Sequence, residues 1–343
     1  MSGEPPGSCA QLPVQTQIAP PEEIFSLFSC FPGFLIHLME APEQPTLRSS
    51  RVRRWLGHLW REWTIESLRP IAPAFAKPEP LKWSDAKVTT AWIGHATVLT
   101  NFFGIKILTD PVLFPRIGIR LPGFTIGPKR LTAPALEFHE LPKIDIVLLS
   151  HAHFDHFDLR TLSRLDKDTR VITAPRTRDL LRWTRLREIT ELRWNERKSI
   201  ETSPGEIEIV AFPVNHWGAR RQRDTYRGYN GYFLERHDRR ILFAGDTAFT
   251  DSFAELRKRG HIDLAIMSIG AYNPWIRSHC TPEQAIEMAN AAGAQFIMPV
   301  HHQTFRLSFE PFREPIERFA AALRAQLERI ALREIGETFV LPL

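Results

Sequence analysis

The stretch Ser-His-Ala-His-Phe-Asp-His-Phe-Asp occupies residues 150–158 and directly follows the apolar run Ile-Asp-Ile-Val-Leu-Leu at residues 144–149. The run predicts a buried strand, because it is short, continuous and mostly aliphatic. Polar groups crowded at the end of a buried strand are costly unless a partner satisfies them. Alternate side chains of an extended segment face the same way, so His151 and His153 can hold one metal ion. Asp155 and His156 face a different direction, towards a second ion.

Further candidate ligands follow other predicted strands along the chain. His216 comes after the strand predicted at residues 206–214, and His301 comes after the strand predicted at residues 296–300. Asp246 follows a predicted hairpin in the same way. A polar loop that is rich in histidine by chance would explain the first stretch alone. The downstream candidates disfavour that alternative.

Seven segments of the chain carry a family resemblance. His-x-His-x-Asp-His after an apolar strand resembles the signature of the metallo-β-lactamase fold. The rest of the chain resembles the phospholipase D branch of that superfamily, which includes the N-acyl-phosphatidylethanolamine-hydrolysing phospholipase D and the related ascorbate-6-phosphate lactonases. The matching segments, in family order from about residue 87 to the C-terminus, are Trp92-Ile93-Gly94-His95-Ala96-Thr97, Leu108-Thr109-Asp110-Pro111-Val112, the stretch at 150–158, Asn215-His216-Trp217, Ala244-Gly245-Asp246-Thr247, Gly270-Ala271-Tyr272 and Pro299-Val300-His301-His302-Gln303-Thr304-Phe305.

The fold that this resemblance implies is an α/β fold, an αββα sandwich of two mixed sheets with helices outside. The predicted strands and helices from about residue 87 onward agree with it. Within this part, residues 111–142 are predicted to be a long, turn-rich connection. Helices are predicted at 159–165 and 176–184, a strand at 262–269, and the last long helix at 313–332. The expected organisation is a disordered N-terminus at 1–23, an apolar and helical or irregular N-terminal extension at 24–84, and the catalytic domain at 85–343.

The resemblance also implies a binuclear metal site. Seven side chains are its expected ligands: His151, His153 and His216 for one ion, Asp155, His156 and His301 for the other, and Asp246 as the bridge between them. Zinc suits these imidazole and carboxylate donors, and manganese or iron would suit them too. Two such ions make a bridging hydroxide available at neutral pH, and Asp155 can orient it. No serine or cysteine nucleophile is then needed.

Two further histidines are candidate catalytic residues beside Asp155. His95 lies in a predicted turn after a strand, and His279 precedes the predicted helix start Thr-Pro-Glu at 281–283 and matches an active-site histidine of the phospholipase branch. Either can protonate a leaving group or hold a phosphate oxygen. The alternative for each is a structural role or a contact with a metal ligand. Asp110 is expected to orient a ligand without binding metal.

One segment departs from the family pattern. The family commonly has His-Trp-Gly-Thr-Phe where this chain has His-His-Gln-Thr-Phe at 301–305. The expected ligand is retained, whereas the neighbouring pocket wall is changed. For His302, a place in that wall is favoured over a direct role in the site.

Composition and charge indicate which classes of binding partner and which cellular compartment are favoured. The chain has 343 residues, of which 43% are hydrophobic and 24% charged, with a net charge of +5. A basic chain suits anionic lipid surfaces, phosphorylated substrates or nucleic acid, and an arginine-rich solvated surface would give the same balance. The three cysteines form no Cys-x-x-Cys motif, which favours a reduced, cytoplasmic protein and a metal site of His and Asp. An assembly of two copies stays open.

The N-terminal extension contains a strongly apolar segment at residues 24–39, which a Pro-Gly pair at 32–33 interrupts. The segment is too short to span a bilayer comfortably. Two interpretations are open: peripheral membrane contact through residues 24–54, at the inner membrane surface, or packing on the main domain. Residues 51–70 are predicted to be an amphipathic helix, for which core packing is favoured over membrane contact.

These observations predict a zinc-dependent hydrolase of a phosphodiester, which the resemblance identifies with a phospholipase D-like enzyme of lipid metabolism acting on N-acyl-phosphatidylethanolamine-type lipids. A lactonase of a phosphorylated sugar acid is the alternative, since it would use the same metals. A nuclease is less favoured, because no nucleic-acid-binding module is recognisable. A non-enzymatic binding scaffold is disfavoured, because such a relative should have lost ligands.

Overall fold

The computed structural model describes residues 64–65, 67–221 and 223–342 of the chain. The predictions for residues 1–23, for the apolar segment at 24–39, for membrane contact through 24–54 and for most of the helix at 51–70 lie outside the described residues. Within the described part, none of the helices combines the length and the apolar character that crossing a membrane requires.

Two mixed sheets form the body of the molecule. The first contains β1 (Val88–Gly94), β2 (Thr97–Phe102), β3 (Ile105–Thr109), β6 (Ile146–Leu149), β7 (Arg170–Thr173), β8 (Ile189–Glu191) and β15 (Thr338–Val340). Their order is β15-β1-β2-β3-β6-β7-β8. The second contains β9 (Arg197–Thr202), β10 (Gly205–Phe212), β11 (Gly231–Arg236), β12 (Arg239–Phe243), β13 (Ile262–Ser268) and β14 (Ala294–Val300), in the order β14-β13-β12-β11-β10-β9.

The two sheets pack face to face through a large apolar core. Its bulkiest members, Trp92 and Phe102 from the first sheet and Tyr232 and Phe243 from the second, are completely buried. Such burial removes apolar surface from water and is the main stabilising contribution to the sandwich. Outside the sheets lie the helices α1 (Leu159–Leu162), α2 (Phe253–Leu256), α3 (Pro282–Ala292) and α4 (Glu314–Ala322). The predicted αββα sandwich is thereby confirmed.

Strand direction brings the candidate ligands to one edge of each sheet. β3, β6, β7 and β8 are mutually parallel, and so are β12, β13 and β14. β2 is antiparallel to both β1 and β3, so β1 runs in the same direction as β3. In the second sheet β11 is antiparallel to both β10 and β12, so β10 runs in the same direction as β12. The loops after β1, β3, β6, β10, β12 and β14 therefore leave their sheets at the same end.

Local sequence signals define α3 as predicted. The Thr281 side chain accepts a hydrogen bond from the backbone N–H of Gln284, and Pro282 occupies the first turn, where its missing N–H costs nothing. The helix ends at Gly293, whose φ of 80° is a left-handed conformation that glycine adopts without steric penalty. This fixed start places His279 and the residues before it at the candidate site.

The prediction for residues 313–332 is wrong in extent. α4 ends at Ala322, and a short 3-10 helix, Leu327–Arg329, follows. Beyond it the backbone N–H of Ala331 donates to Ile297 on β14, and the Arg329 guanidinium donates to the carbonyl of Ala294. These tertiary contacts draw the chain back to the sheet edge, and they override a helical sequence pattern.

Three shorter elements also differ from prediction. The connection at 111–142 contains a small hairpin of β4 (Ile119–Leu121) and β5 (Phe124–Ile126) and a 3-10 helix, Phe138–Glu140. The helix expected at 176–184 is a 3-10 helix, Arg178–Trp183. The helix expected at 159–165 is the single turn α1, which packs on the core of the first sheet through Leu162 and Leu159.

We expect Tyr232→Phe to lower the free energy of unfolding by about 1–3 kcal/mol. The Tyr232 hydroxyl on β11 donates to the carbonyl of Leu149 on β6, 2.8 Å away, and so joins the two sheets directly before the histidine stretch. Urea unfolding followed by circular dichroism measures the loss. Tyr226→Phe is the control, because Tyr226 is 52% exposed and its replacement should change stability by at most about 0.5 kcal/mol. Equal effects of the two changes would contradict the proposed link.

Candidate metal centre

Three imidazoles form a first donor group at the sheet edge. His151 and His153 follow β6, and His216 follows β10. His151 Nε2 lies 2.8 Å from His153 Nδ1, which in turn lies 3.4 Å from His216 Nε2. All three side chains are buried. The two strands thus deliver three nitrogens to one point between the sheets.

Hydrogen bonds on the far side of two of these rings fix which nitrogen faces the group. His216 Nδ1 lies 2.8 Å from the carbonyl of Ser278, which can only accept, so Nδ1 carries the proton and Nε2 presents a lone pair. Ser150 Oγ donates to Asp110 Oδ2 and so accepts from His151 Nδ1 at 2.8 Å. His151 Nε2 therefore also presents a lone pair.

A second donor group consists of Asp155, His156 and His301. His301 Nε2 lies 3.1 Å from His156 Nε2, and Asp155 Oδ2 lies 3.5 Å from each of these nitrogens. His156 Nδ1 lies 2.7 Å from Asp110 Oδ2. An ionised carboxylate accepts only, so His156 Nδ1 carries a proton that points to Asp110, and Nε2 is left to face the group.

One oxygen of Asp246 lies between the two groups. Its Oδ2 is 3.0 Å from His156 Nε2, 3.2 Å from His301 Nε2 and 4.0 Å from His216 Nε2. The other oxygen, Oδ1, accepts a hydrogen bond of 2.9 Å from the Ser268 hydroxyl. Asp246 is thus held by β13 so that a single oxygen faces both groups.

The chemistry of this donor set fits divalent cations. His156 Nε2 lies 3.0 Å from a carboxylate oxygen, and the surrounding carboxylates, which outweigh the opposing effect of burial, raise the pKa of His156 well above its usual range, so this pair of atoms favours positive charge between them. Histidine nitrogens and carboxylate oxygens converging within 4.8 Å of one another are the ligands that zinc takes in proteins. The buried cluster is therefore suited to hold divalent metal.

The pKa values differ between the two groups. Burial, reinforced by the neighbouring imidazole of His156, holds the pKa of His151 well below its usual range, and burial lowers that of His216 to about 4. Burial also opposes the charged form of His301, but the Asp246 carboxylate outweighs it and raises the pKa of His301 to about 9. The first group is therefore neutral at pH 7, whereas the carboxylates of the second attract positive charge.

His95 and His279 both lie next to the two groups. His95 Nε2 is 2.9 Å from Asp155 Oδ2, and its ring packs 4.1 Å from that of His301. His279 Nδ1 is 3.8 Å from Asp246 Oδ2 and has no hydrogen-bond partner among the described residues. Burial lowers the pKa of each to about 3. Every candidate named from the sequence is thus brought to one place.

Sequence reasoning anticipated only one of the groups that orient the candidate ligands. Asp110 was expected to orient a ligand, and it does contact His156 and both the N–H and the hydroxyl of Ser150. The hydroxyl of Ser268 and the carbonyl of Ser278 were not anticipated. Ser268 lies one residue before the end of the strand predicted at 262–269, which was a usable signal, but a backbone carbonyl such as that of Ser278 leaves no trace in residue type.

Comparisons with known proteins agree with this geometry. A family model described as "Beta-lactamase superfamily domain" matches residues 106–302. An uncharacterised protein of Mycobacterium tuberculosis is 32% identical over 279 residues, which cover 78% of this chain and 73% of the relative. The N-acyl-phosphatidylethanolamine-hydrolyzing phospholipase D 1 of Caenorhabditis elegans is 31% identical over 260 residues, covering 71% of this chain and 72% of that protein.

Two further comparisons extend the picture. The mitochondrial N-acyl-phosphatidylethanolamine-hydrolyzing phospholipase D of Saccharomyces cerevisiae is 33% identical over 267 residues, 74% of this chain and 56% of that protein. Among solved structures, the isothiocyanate hydrolase from Delia radicum gut bacteria superposes with a TM-score of 0.60 over 74% of this chain and all of that one, at 19% identity. That likeness concerns the fold alone.

We expect Asp110→Asn to weaken zinc binding about 10- to 100-fold. The amide would place a donor against His156 Nδ1–H and the Ser150 hydroxyl. His156 would then have to turn its proton towards the centre, where the proton blocks the lone pair. Competition with a chromophoric zinc chelator measures the affinity.

Asp263→Asn is the matched control for this change. Asp263 is also buried and accepts from a backbone N–H, that of Arg240 at 2.7 Å, but it lies at the opposite end of β13. Its replacement should leave zinc affinity unchanged. Equal zinc affinity in the Asp110 variant and the wild type would contradict the assignment of an orienting role to Asp110.

Proposed function

This chain belongs to the β-lactamase superfamily and is a metal-dependent hydrolase of that fold, and from this premise we propose that it is a binuclear zinc phosphodiesterase that cleaves phospholipids as a phospholipase D does. We further propose that residues 85–343 form its catalytic domain. The family match at 106–302 falls within these limits.

The position of Asp246 Oδ2 carries the proposal. A carboxylate oxygen 3.0 to 4.0 Å from imidazole nitrogens of two separate donor groups is suited to bridge two cations. A site for a single ion would leave one of the two donor groups without a cation to bind. We therefore assign one ion to His151, His153 and His216, and the other to Asp155, His156 and His301.

In such a site, divalent cations make hydroxide available at neutral pH and offset negative charge on a phosphoryl group. The protein itself orients the donor atoms and excludes water from around them. Seven buried side chains from both sheets meet there, so the arrangement is as rigid as the sandwich itself. Zinc is the metal that best suits this set of nitrogen and oxygen donors.

His95 acts through Asp155 in this proposal. Its Nε2 is engaged with Asp155 Oδ2 at 2.9 Å, and only 1% of the residue is exposed. Direct contact with a substrate is therefore disfavoured. The proton of His95 instead keeps one lone pair of Asp155 occupied and limits how the carboxylate can turn.

His279 acts on the substrate in this proposal. Its Nδ1 is unpartnered among the described residues and lies on the Asp246 side of the centre. Burial keeps the imidazole neutral at pH 7, because its pKa is lowered to about 3, and a nearby cation would lower it further. A neutral ring offers one N–H to hold a phosphoryl oxygen, which favours this role over storing a proton.

Two relatives support a phospholipid substrate, because both are named for hydrolysing N-acyl-phosphatidylethanolamine. The net charge of +5 fits an anionic substrate. A cytoplasmic location, peripheral membrane contact and a homodimer stay predictions.

The function is tested with purified, metal-analysed protein on three substrate classes. N-acyl-phosphatidylethanolamine in vesicles should release phosphatidic acid, identified by mass spectrometry. A phosphorylated sugar lactone and a dinucleotide phosphodiester should be turned over far more slowly. Preferred hydrolysis of the lactone, or of the dinucleotide, would replace the phospholipase assignment.

We expect Asp246→Asn to lower hydrolysis by orders of magnitude while the fold survives. The amide keeps the shape of the side chain but weakens its hold on both cations. Wild-type protein should contain two metal ions per chain by elemental analysis, and the variant fewer. Near-normal turnover in a folded, metal-replete variant would contradict the bridging role, and one ion in fully active wild-type protein would contradict the binuclear assignment.

We expect His279→Ala to reduce turnover without a matching loss of metal, because its assigned contact is with the substrate. Activity and metal content are measured on one preparation. His261→Ala serves as the control, since His261 is exposed and bonded to Gln295 at the far end of the second sheet. A loss of metal in proportion to activity would make His279 a ligand or a structural residue.

A further inference from the structure

Arg130 is a charged side chain that belongs to neither donor group. It is completely buried, and burial lowers its pKa to about 9, so the guanidinium remains charged at pH 7. Within the part of the chain that the structure describes it forms no ion pair, and Asp158, whose charge favours its ionised form, is bonded instead to Arg160 and to the Thr161 hydroxyl. Burying a charge without a counter-ion is costly, so other contacts have to stabilise it.

Backbone carbonyls surround the guanidinium of Arg130. Its Nε donates to the carbonyl of Phe114 at 3.0 Å, its Nη2 donates to the carbonyl of Val112, and its Nη1 lies 3.5 Å from the carbonyl of Thr132. Its Cζ also lies 4.9 Å from the ring centre of Phe305, close enough for a cation–π contact. The planar fork of an arginine suits this arrangement, since its donors point in different directions within one plane.

Two of these carbonyls belong to the segment 110–114, which follows β3. Thr97 holds the start of the same segment: its hydroxyl donates to the carbonyl of Asp110 at 2.8 Å and accepts from the Val112 N–H at 3.0 Å. Asp110 has a φ of 33°, a left-handed conformation that costs free energy in a non-glycine residue and persists only where neighbours enforce it. The segment is therefore fixed by Thr97 at its start and by Arg130 further along.

The Asp110 carboxylate connects this segment to both donor groups. It accepts from His156 Nδ1 at 2.7 Å, and it accepts from the Ser150 hydroxyl, which in turn accepts from His151 Nδ1 at 2.8 Å. His151 belongs to the first donor group and His156 to the second. A shift of the segment would move the carboxylate away from both partners at once, and the loss of such an outer partner weakens metal binding.

Arg130 also contacts the loops after β1 and β14. A Cβ atom on Gly94 would lie 3.2 Å from Arg130 Nη1, so the glycine allows the loop after β1 to approach the guanidinium closely. Phe305, in the segment after His301, has its ring centre 5.1 Å from that of His95 in an edge-to-face arrangement. One buried guanidinium thus lies where three of the loops that form the centre meet.

We propose that Arg130 is a positioning residue for the metal centre: its guanidinium holds the backbone of residues 110–114 so that the Asp110 carboxylate orients one imidazole of each donor group. The inference rests on the proposed function in that the two groups hold zinc. Arg130 acts through Asp110 and contacts neither metal nor substrate. Lysine is a poor substitute, because an ammonium group presents its donors from one atom, whereas two different nitrogens of Arg130 bond the carbonyls of Val112 and Phe114.

Arg130→Lys keeps the charge and removes the fork. Zinc affinity is measured by competition with a chromophoric chelator on the full-length protein at pH 7. The variant should bind zinc about tenfold more weakly than the wild type, because Asp110 is no longer held against its partners. Unchanged zinc affinity in the folded variant would overturn the proposal.

Arg236→Lys is the matched control. Arg236 is also buried, with 7% of the residue exposed, and its guanidinium donates to the backbone carbonyls of Glu206 and Pro204 at the opposite end of the second sheet. Both substitutions should lower the melting temperature, since each removes charge-assisted hydrogen bonds, but the Arg236 variant should keep the zinc affinity of the wild type. An equal loss of zinc affinity in the two variants would reveal a general effect of destabilisation and would refute a specific role for Arg130.

A double-mutant cycle with Asp110→Asn separates positioning from a merely structural role. If Arg130 acts through Asp110, Arg130→Lys should change zinc affinity by no more than about twofold when Asp110→Asn is already present. A further loss of about tenfold in that background would make the two effects independent and would exclude the proposed route.

Thr97→Val reaches the same segment without changing Arg130, so it decides the question if the Arg130→Lys variant does not fold. It removes both hydrogen bonds of the Thr97 hydroxyl and should weaken zinc binding about tenfold by the same route. Wild-type zinc affinity in folded Thr97→Val protein would contradict the proposal, because the segment would then not set the position of Asp110.

These measurements involve no turnover, so the two proposals can fail separately. Cleavage of phospholipid vesicles by a wild-type protein whose zinc affinity is insensitive to Arg130→Lys would contradict the positioning role alone. Weaker zinc binding in the variant, with phospholipids left uncleaved by the wild type, would contradict the phospholipase assignment alone.

Discussion

The crowding of buried imidazoles and carboxylates at one edge of the sandwich is the constraint on which the functional site depends. Five imidazoles and two carboxylates meet where the two sheets share an edge, and all seven residues are less than 9% exposed. Water cannot solvate them there, and hydrogen bonds on the outer sides of His151, His156 and His216 turn their lone pairs inward. Only positive charge at the middle makes such a cluster favourable. The fold therefore holds these groups in an arrangement that is favourable when cations are bound among them.

Backbone strain collects in the same loops. Several non-glycine residues with left-handed φ angles follow the strands that reach the centre: His95, Asp110, Ala271, His301 and Gln303. Each turns the chain sharply at a strand end. Hydrogen bonds hold the turns together across the two sheets, as where the His95 carbonyl accepts from both the Trp92 indole and the His301 N–H. The loops after β1 and β14 therefore form one interlocked unit around the centre.

The sequence predicted which side chains meet at the sheet edge, because that information is local. Apolar runs mark strands, and a polar residue directly after such a run lies at the sheet edge, which is how His216, Asp246 and His301 were found. The family resemblance added how they divide between two ions. The length of α4 could not be predicted from the sequence, because the chain leaves the helix to form a hydrogen bond between Ala331 and Ile297 on β14, which are far apart in the sequence. The partner of the His216 ring was missed for a related reason: a backbone carbonyl such as that of Ser278 is common to every residue type.

The last strand of the first sheet has a consequence for synthesis on the ribosome. β15 pairs with β1 through Thr338 to Val340, and backbone hydrogen bonds of the flanking residues Gly336 and Leu341 extend this cover along the edge of β1. β1 emerges some 240 residues earlier, so its open N–H and C=O groups wait for most of the chain to be translated. A nascent chain that stalls before β15 carries an uncovered strand edge, which is a template for pairing with other chains.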